Sequence, residues 1–147
     1  MPLVIRRLRP NDRALWEPLW QGYLAFYGVP LPDAVTDTTW TRLLDPDWDV
    51  HGLVAANDES GKVLGIVHFL FHPVTWAIAP RCYLEDLFVA ELARGTGAGR
   101  RLIEGVYEEA DARGADQVYW LTEDDNQTAR RLYDRVGRHT RFIKYQR

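Results

Sequence analysis

Cysteine is almost absent from this sequence: Cys82 is the only one in 147 residues. One thiol cannot close an intrachain disulfide, so nothing points to a secreted, stapled scaffold. Long hydrophobic runs are missing too. The longest, Val63 to Phe71, is interrupted by His68 and is too short to cross a bilayer. The first residues, Met1-Pro2-Leu3-Val4-Ile5-Arg6-Arg7, lack the apolar core of a signal peptide, and a soluble cytoplasmic protein without a membrane partner is expected. No excess of positive charge exists. Eighteen Lys and Arg face 21 Asp and Glu, a net charge of −3, which argues against a dedicated nucleic-acid-binding module. The four histidines, His51, His68, His72 and His139, follow no ligand spacing such as His-Glu-x-x-His, so no metal site is expected.

What is present fits one globular domain over residues 1–147, with 46% hydrophobic residues, no low-complexity linker and no internal repeat. Leu3 to Leu8 reads as a strand. Leu15, Trp16, Leu19, Trp20, Tyr23 and Tyr27 recur at three- and four-residue steps, one face of a helix stopped by Gly28-Val29-Pro30. A second helix is predicted from Asp33 to Leu44. Strands follow at His51–Ala56, Val63–Phe71 and Cys82–Val89. A glycine-rich segment leads into a periodic helix carrying Leu102, Ile103, Val106, Tyr107 and Ala110. Gln117–Leu121 reads as a strand, Asn126–Val136 as a helix and Thr140–Tyr145 as a last strand. The order is βααβββαβαβ, an α/β chain with a mixed central sheet.

The segment Arg94-Gly95-Thr96-Gly97-Ala98-Gly99-Arg100-Arg101 carries the most information. Glycines let a backbone turn tightly and approach a ligand closely. At a helix start the unpaired N–H groups and the positive dipole end favour phosphate oxygens, and nearby arginines add charge-assisted hydrogen bonds. A dinucleotide fingerprint would need a glycine where Arg100 stands, and a Walker loop would need Lys-Ser/Thr after Gly99, so neither fits. Taken alone, the segment is equally a glycine turn that caps a helix.

It is not alone. Tyr83-Leu84-Glu85-Asp86-Leu87-Phe88-Val89 precedes it, and Asn126-x-x-Ala129-x-x-Leu132-Tyr133-x-x-x-Gly137 follows. In this register Arg94-x-x-Gly97-x-Gly99 resembles the acetyl-CoA loop of the GNAT N-acetyltransferases, and Asn126 to Gly137 resembles their second motif. The likeness covers residues 82–145, and the first half mainly in its order of elements. It departs at Arg138, where many members carry phenylalanine after the glycine.

The resemblance implies the GNAT fold and acetyl-CoA as co-substrate, with pyrophosphate on the N–H groups of Gly95, Thr96, Gly97, Ala98, Gly99 and Arg100, close to Arg94. The pantetheine would run beside Leu87, Phe88 and Val89, with a backbone N–H near Phe88 or Val89 at the thioester oxygen and Asn126 on the pantetheine arm. Tyr133 stands where the family places the tyrosine that serves the departing thiolate. Glu85 is expected to assist deprotonation of the amine through a water. Adjacent carboxylates in an apolar strand are costly unless paired or used; the alternative for Glu85 is a strand-end ion pair with an arginine. Alternation sends Glu85 and Asp86 to opposite faces unless a bulge intervenes.

The strand and the ending Leu132 to Tyr145 are similar to those of spermidine/spermine, thialysine and small histone or polyamine acetyltransferases. This implies a primary amine of a polyamine, diamine or lysine-like small molecule as acceptor, and a homodimer. Glu85 and Asp86, with Tyr23 and Tyr27 as walls suited to a cation, are the expected acceptor contacts, though such an aromatic stripe also serves as core. Acetylation of protein lysines or N-termini, or acyl-CoA sensing without turnover, are the rival readings.

Overall fold

The structure is a computed structural model describing residues 2–147. Its elements run β1 (Leu3–Arg7), α1 (Arg13–Tyr27), α2 (Asp33–Leu44), β2 (Val50–Asn57), β3 (Val63–His72), β4 (Arg81–Val89), α3 (Ala98–Ala112), β5 (Val118–Tyr119) and α4 (Gln127–Val136). The five strands form one sheet in the order β1-β2-β3-β4-β5. The first four pair antiparallel and β5 joins β4 in parallel, which makes the sheet mixed as expected.

Each face of the sheet carries its own apolar layer. Trp16, Leu19, Trp20 and Leu24 of α1, with Trp40 and Leu43 of α2, pack on Val54, Ala56 and Ile66. Leu102, Ile103, Val106 and Ala110 of α3 pack on the opposite face, over Leu53, Val67, Phe69 and Leu84. These are the residues whose three- and four-residue spacing makes each helix one-sided. Gly28 ends α1 in the left-handed region at φ 64°, where a Cβ would be strained.

Two expectations are corrected. The strand predicted at Gln117–Leu121 forms only at Val118–Tyr119. The strand predicted at Thr140–Tyr145 does not form: the segment is irregular, and Phe142, Ile143 and Tyr145 are exposed. A strand needs a partner edge, and a two-residue β5 offers the tail almost none.

Candidate active site

β4 and β5 pair only at Cys82↔Val118 and Tyr83↔Tyr119 and then separate. Beyond Tyr83, one edge of β4 has no strand beside it. Residues alternate along a strand in the direction their N–H and C=O groups point. The Ala90 N–H donates to Leu64 on the β3 side, so Phe88 also faces β3, while Leu87 and Val89 present their N–H groups to the open edge. This corrects the expectation for Phe88. Its amide belongs to the β3 ladder and its ring packs in the α1 layer. Leu87 and Val89 turn their side chains to the α3 layer.

Halfway along β4 the register breaks. His68 stands opposite Asp86, but the next pair is Phe69 with Leu84, so Glu85 is an extra residue. This is the bulge that simple alternation lacked. It reverses the parity of the strand: Cys82 and Leu84 point into the α3 layer, whereas Asp86 points to the α1 side, where it meets His68 at 2.9 Å. Glu85 is exposed, yet the surrounding protein partly desolvates its carboxyl and Asp86 adds like charge, so its pKa is raised. No ion pair holds Glu85 among the described residues, contrary to the strand-end pairing entertained for it.

The aromatic stripe of α1 divides as it approaches this point. Trp16 and Trp20 stack at 5.7 Å and are core. Trp20 stacks on Tyr23 at 5.5 Å, and Tyr23 touches Tyr27 at 5.1 Å. The Tyr23 phenol is driven far up by burial and by the neighbouring Asp86 charge. Tyr27 is raised by burial and then by Glu123 and Asp86. Glu123, in the loop before α4, is a charge that the fold brings near Tyr27 at the end of α1, and sequence reasoning did not single it out.

Tyr133 of α4 closes the other side. Its ring stands edge-on to Trp120 at 5.5 Å, and burial, with Tyr27 nearby, pushes its phenol up to about 12. A free thiol titrates near 8.5, so a phenol at about 12 is chemically able to donate a hydrogen bond to a thiolate while keeping its own proton. Gly137, the glycine that matches the second motif, sets the packing just before the departure at Arg138. A Cβ there would lie 2.8 Å from Trp120 Cη2, so the glycine leaves room for the ring that supports Tyr133. Cys82 is buried, and burial raises its thiol to about 12, which disfavours the thiolate that a nucleophile needs.

The glycine loop turns through left-handed Gly95 (φ 81°) and Gly97 (φ 85°) into α3. The Arg101 N–H makes the first helical bond, to the Gly97 carbonyl. Among the described residues, the N–H groups of Gly95, Gly97, Ala98, Gly99 and Arg100 have no protein acceptor, a cradle suited to phosphate oxygens. Thr96 differs: its N–H and hydroxyl both turn back to the Ala93 carbonyl. The Ala98 side chain is buried beneath the loop, leaving only its backbone to a ligand. Arg94 lies over the Phe88 ring and donates to the Val89 carbonyl, and Arg100 pairs with Glu104 at 3.3 Å. Arg101 turns away from the loop and holds the Leu3 carbonyl. The Asn126 side-chain oxygen caps α4 by accepting from the Ala129 N–H, which leaves its amide nitrogen for a ligand.

The comparisons agree with this geometry. The sequence model described as Acetyltransferase (GNAT) family matches residues 16–137. The D-amino-acid N-acetyltransferase HPA3 of Saccharomyces cerevisiae is 37% identical over 145 residues, covering 99% of this chain and 90% of that protein. The uncharacterized N-acetyltransferase YhfO of Bacillus subtilis is 29% identical, covering 96% of this chain and 94% of that protein. In fold, the chain superposes on AAC(6')-Iy in complex with the bisubstrate analogue CoA-S-monomethyl-acetylneamine with a TM-score of 0.84, at 20% identity and coverage of 100% and 99%. An open strand edge, a glycine cradle and these likenesses lead to one conclusion: the chain belongs to the GNAT acetyltransferase family and is an N-acetyltransferase.

Proposed function

We propose that this enzyme moves the acetyl group of acetyl-CoA directly to the primary amine of a small polyamine, diamine or lysine-like molecule. The observation that carries this reading is the bulge: Glu85 and Asp86 lie at the open edge of β4, with Tyr23, Tyr27 and Glu123 close by. Carboxylates and aromatic faces favour a cationic acceptor.

An alkylammonium titrates near 10.4 and must lose a proton before it attacks. Glu85, raised and solvent-accessible, takes that proton through water. The free amine then adds to the thioester carbon. The N–H of Val89 or Leu87 stabilises the negative oxygen. The C–S bond breaks, Tyr133 donates a hydrogen bond to the thiolate, the nitrogen gives up its second proton through solvent to the thiolate, and the products are the N-acetyl amide and CoA.

A second reading, an amino acid as acceptor, is favoured by the 37% identity to a D-amino-acid N-acetyltransferase. The acidic surroundings tell against a substrate carboxylate close to the amine. Release of CoA thiol from acetyl-CoA, run against polyamines, D- and L-amino acids, lysine analogues and histone-tail peptides, decides among them. Polyamine-dependent release supports the first reading, and D-amino-acid release the second. Peptide-only release, or binding of acetyl-CoA without release, overturns both. Assembly as a homodimer is part of the proposal and is checked by light scattering.

A further inference from the structure

His68 lies in the middle of β3, is 2% exposed and has both ring nitrogens engaged. Trp16 Nε1 lies 3.0 Å from His68 Nε2. An indole N–H can only donate, so Nε2 must be the accepting nitrogen. The ring proton therefore sits on Nδ1 and is donated to Asp86 Oδ2 at 2.9 Å. The opposite tautomer would set N–H against N–H at Trp16 and a lone pair against the carboxylate, so both contacts select the same form. In this geometry the His68–Asp86 contact is a hydrogen bond from a neutral ring. Trp16 and Trp20, with ring centroids 6.0 and 5.4 Å away, fix the plane of the imidazole.

A histidine on a carboxylate beside an active site suggests a general base. The structure excludes that role, because the nitrogen that would receive the proton is occupied by Trp16. We propose instead that His68 is a positioning residue: locked by Trp16, it holds one carboxylate oxygen of Asp86 so that the other anchors the acceptor's ammonium group. The direction of control runs outward, from the indole to the tautomer, to the donor and to the carboxylate. Asp86 is the first residue paired with β3 beyond the bulge, directly opposite His68, so the ladder sets the two side chains on the same face and the imidazole fixes where the carboxylate lies. This inference rests on the cationic-amine reading of the site.

A double-mutant cycle with His68→Asn and Asp86→Asn tests it, with the responsive amine as variable substrate. His68→Asn is expected to raise the amine KM about tenfold or more, as for loss of a hydrogen bond to a charged group, while kcat and acetyl-CoA binding change far less. In the Asp86→Asn background the same substitution is expected to add almost nothing, because His68 acts through Asp86. A full His68 effect in that background overturns the relay, and an unchanged amine KM in Asp86→Asn overturns Asp86 as anchor. Nitrogen-15 NMR of the wild-type imidazole supplies a readout independent of turnover and of variant folding. A neutral His68 with its proton on Nδ1 is expected, and a proton on Nε2 overturns the proposal even if the acetyltransferase reading stands. If no amine is turned over while the Nδ1 tautomer is present, the acceptor reading fails and the anchoring role falls with it.

Discussion

The Trp120 ring meets the Tyr133 ring edge-on, with centroids 5.5 Å apart, so a residue of the loop after β5 sets the place of the phenol on α4. If that phenol serves the leaving thiolate, Tyr133→Phe keeps the packing and loses only the donor. Turnover is expected to fall about tenfold or more, with acetyl-CoA affinity and Tm nearly unchanged. Steady-state kinetics and a thermal melt check this. Unchanged kcat would remove Tyr133 from the reaction.

Gly137 supports the same contact from behind. In Gly137→Ala the new Cβ would lie 2.8 and 3.0 Å from two carbons of Trp120, and that ring is also held by Tyr107. The substitution is expected to cost about 1–2 kcal/mol of stability through overpacking and to lower kcat by displacing Tyr133. Urea unfolding beside kinetics reads both. Wild-type values for both would show that Trp120 moves aside freely.

Glu85 links pH to both rate and stability. Its carboxyl is raised by desolvation and by Asp86, so the ionised form is less at ease in the folded chain than in the unfolded one. Its contribution to stability therefore falls as pH rises from the ordinary carboxylate range through the raised value. Glu85→Gln is accordingly expected to melt slightly higher than wild type at pH 7, a gap that closes below the ordinary carboxylate range. Its kcat/KM is expected to drop about 100-fold at pH 7 and to recover as pH nears the amine's own pKa of about 10.4, where no base is needed. A loss that is constant with pH would mean that Glu85 does not handle the proton.

The start of α1 depends on a buried ion pair. Arg6 donates to both Asp12 oxygens, at 2.8 and 3.1 Å, and the Arg9 N–H adds a third bond at 2.8 Å. The Arg6 guanidinium beside it holds the Asp12 carboxyl below the usual range. Stability from this pair is present above the ordinary carboxylate pKa and is lost as pH falls through the depressed value. Asp12→Ala is expected to cost about 3 kcal/mol at pH 7, and less as acid protonates the wild-type carboxylate. Denaturant titrations at two pH values measure it, and equal stabilities at pH 7 would contradict the account.

The order of elements from β1 to α4 and the glycine loop were legible in the sequence because they are local: helical spacing at Leu102, Ile103 and Val106, and left-handed turns at Gly95 and Gly97. The bulge was legible only as a condition. Two adjacent carboxylates fit the same side if Glu85 is an extra residue, but register against β3 is what makes it one. His68 read as an interruption of an apolar strand, because its partners are 52 residues upstream and 18 downstream. Glu123 and the Phe88 amide escaped for a similar reason, since one depends on where a loop ends up and the other on which neighbour a strand pairs with. The tail was misread because Phe142, Ile143 and Tyr145 are residue types that favour strands, while a two-residue β5 gives them almost no edge to pair with.

The central claim is direct transfer of acetyl to an amine, and product analysis tests it most directly. The enzyme, acetyl-CoA and the best acceptor from the panel are incubated, and acetylated amine and free CoA are quantified by mass spectrometry. The account predicts one N-acetylated amine formed for each CoA released, with no acetylated enzyme along the way. CoA release without acetylated amine, or an acetyl group left on the protein, would contradict it.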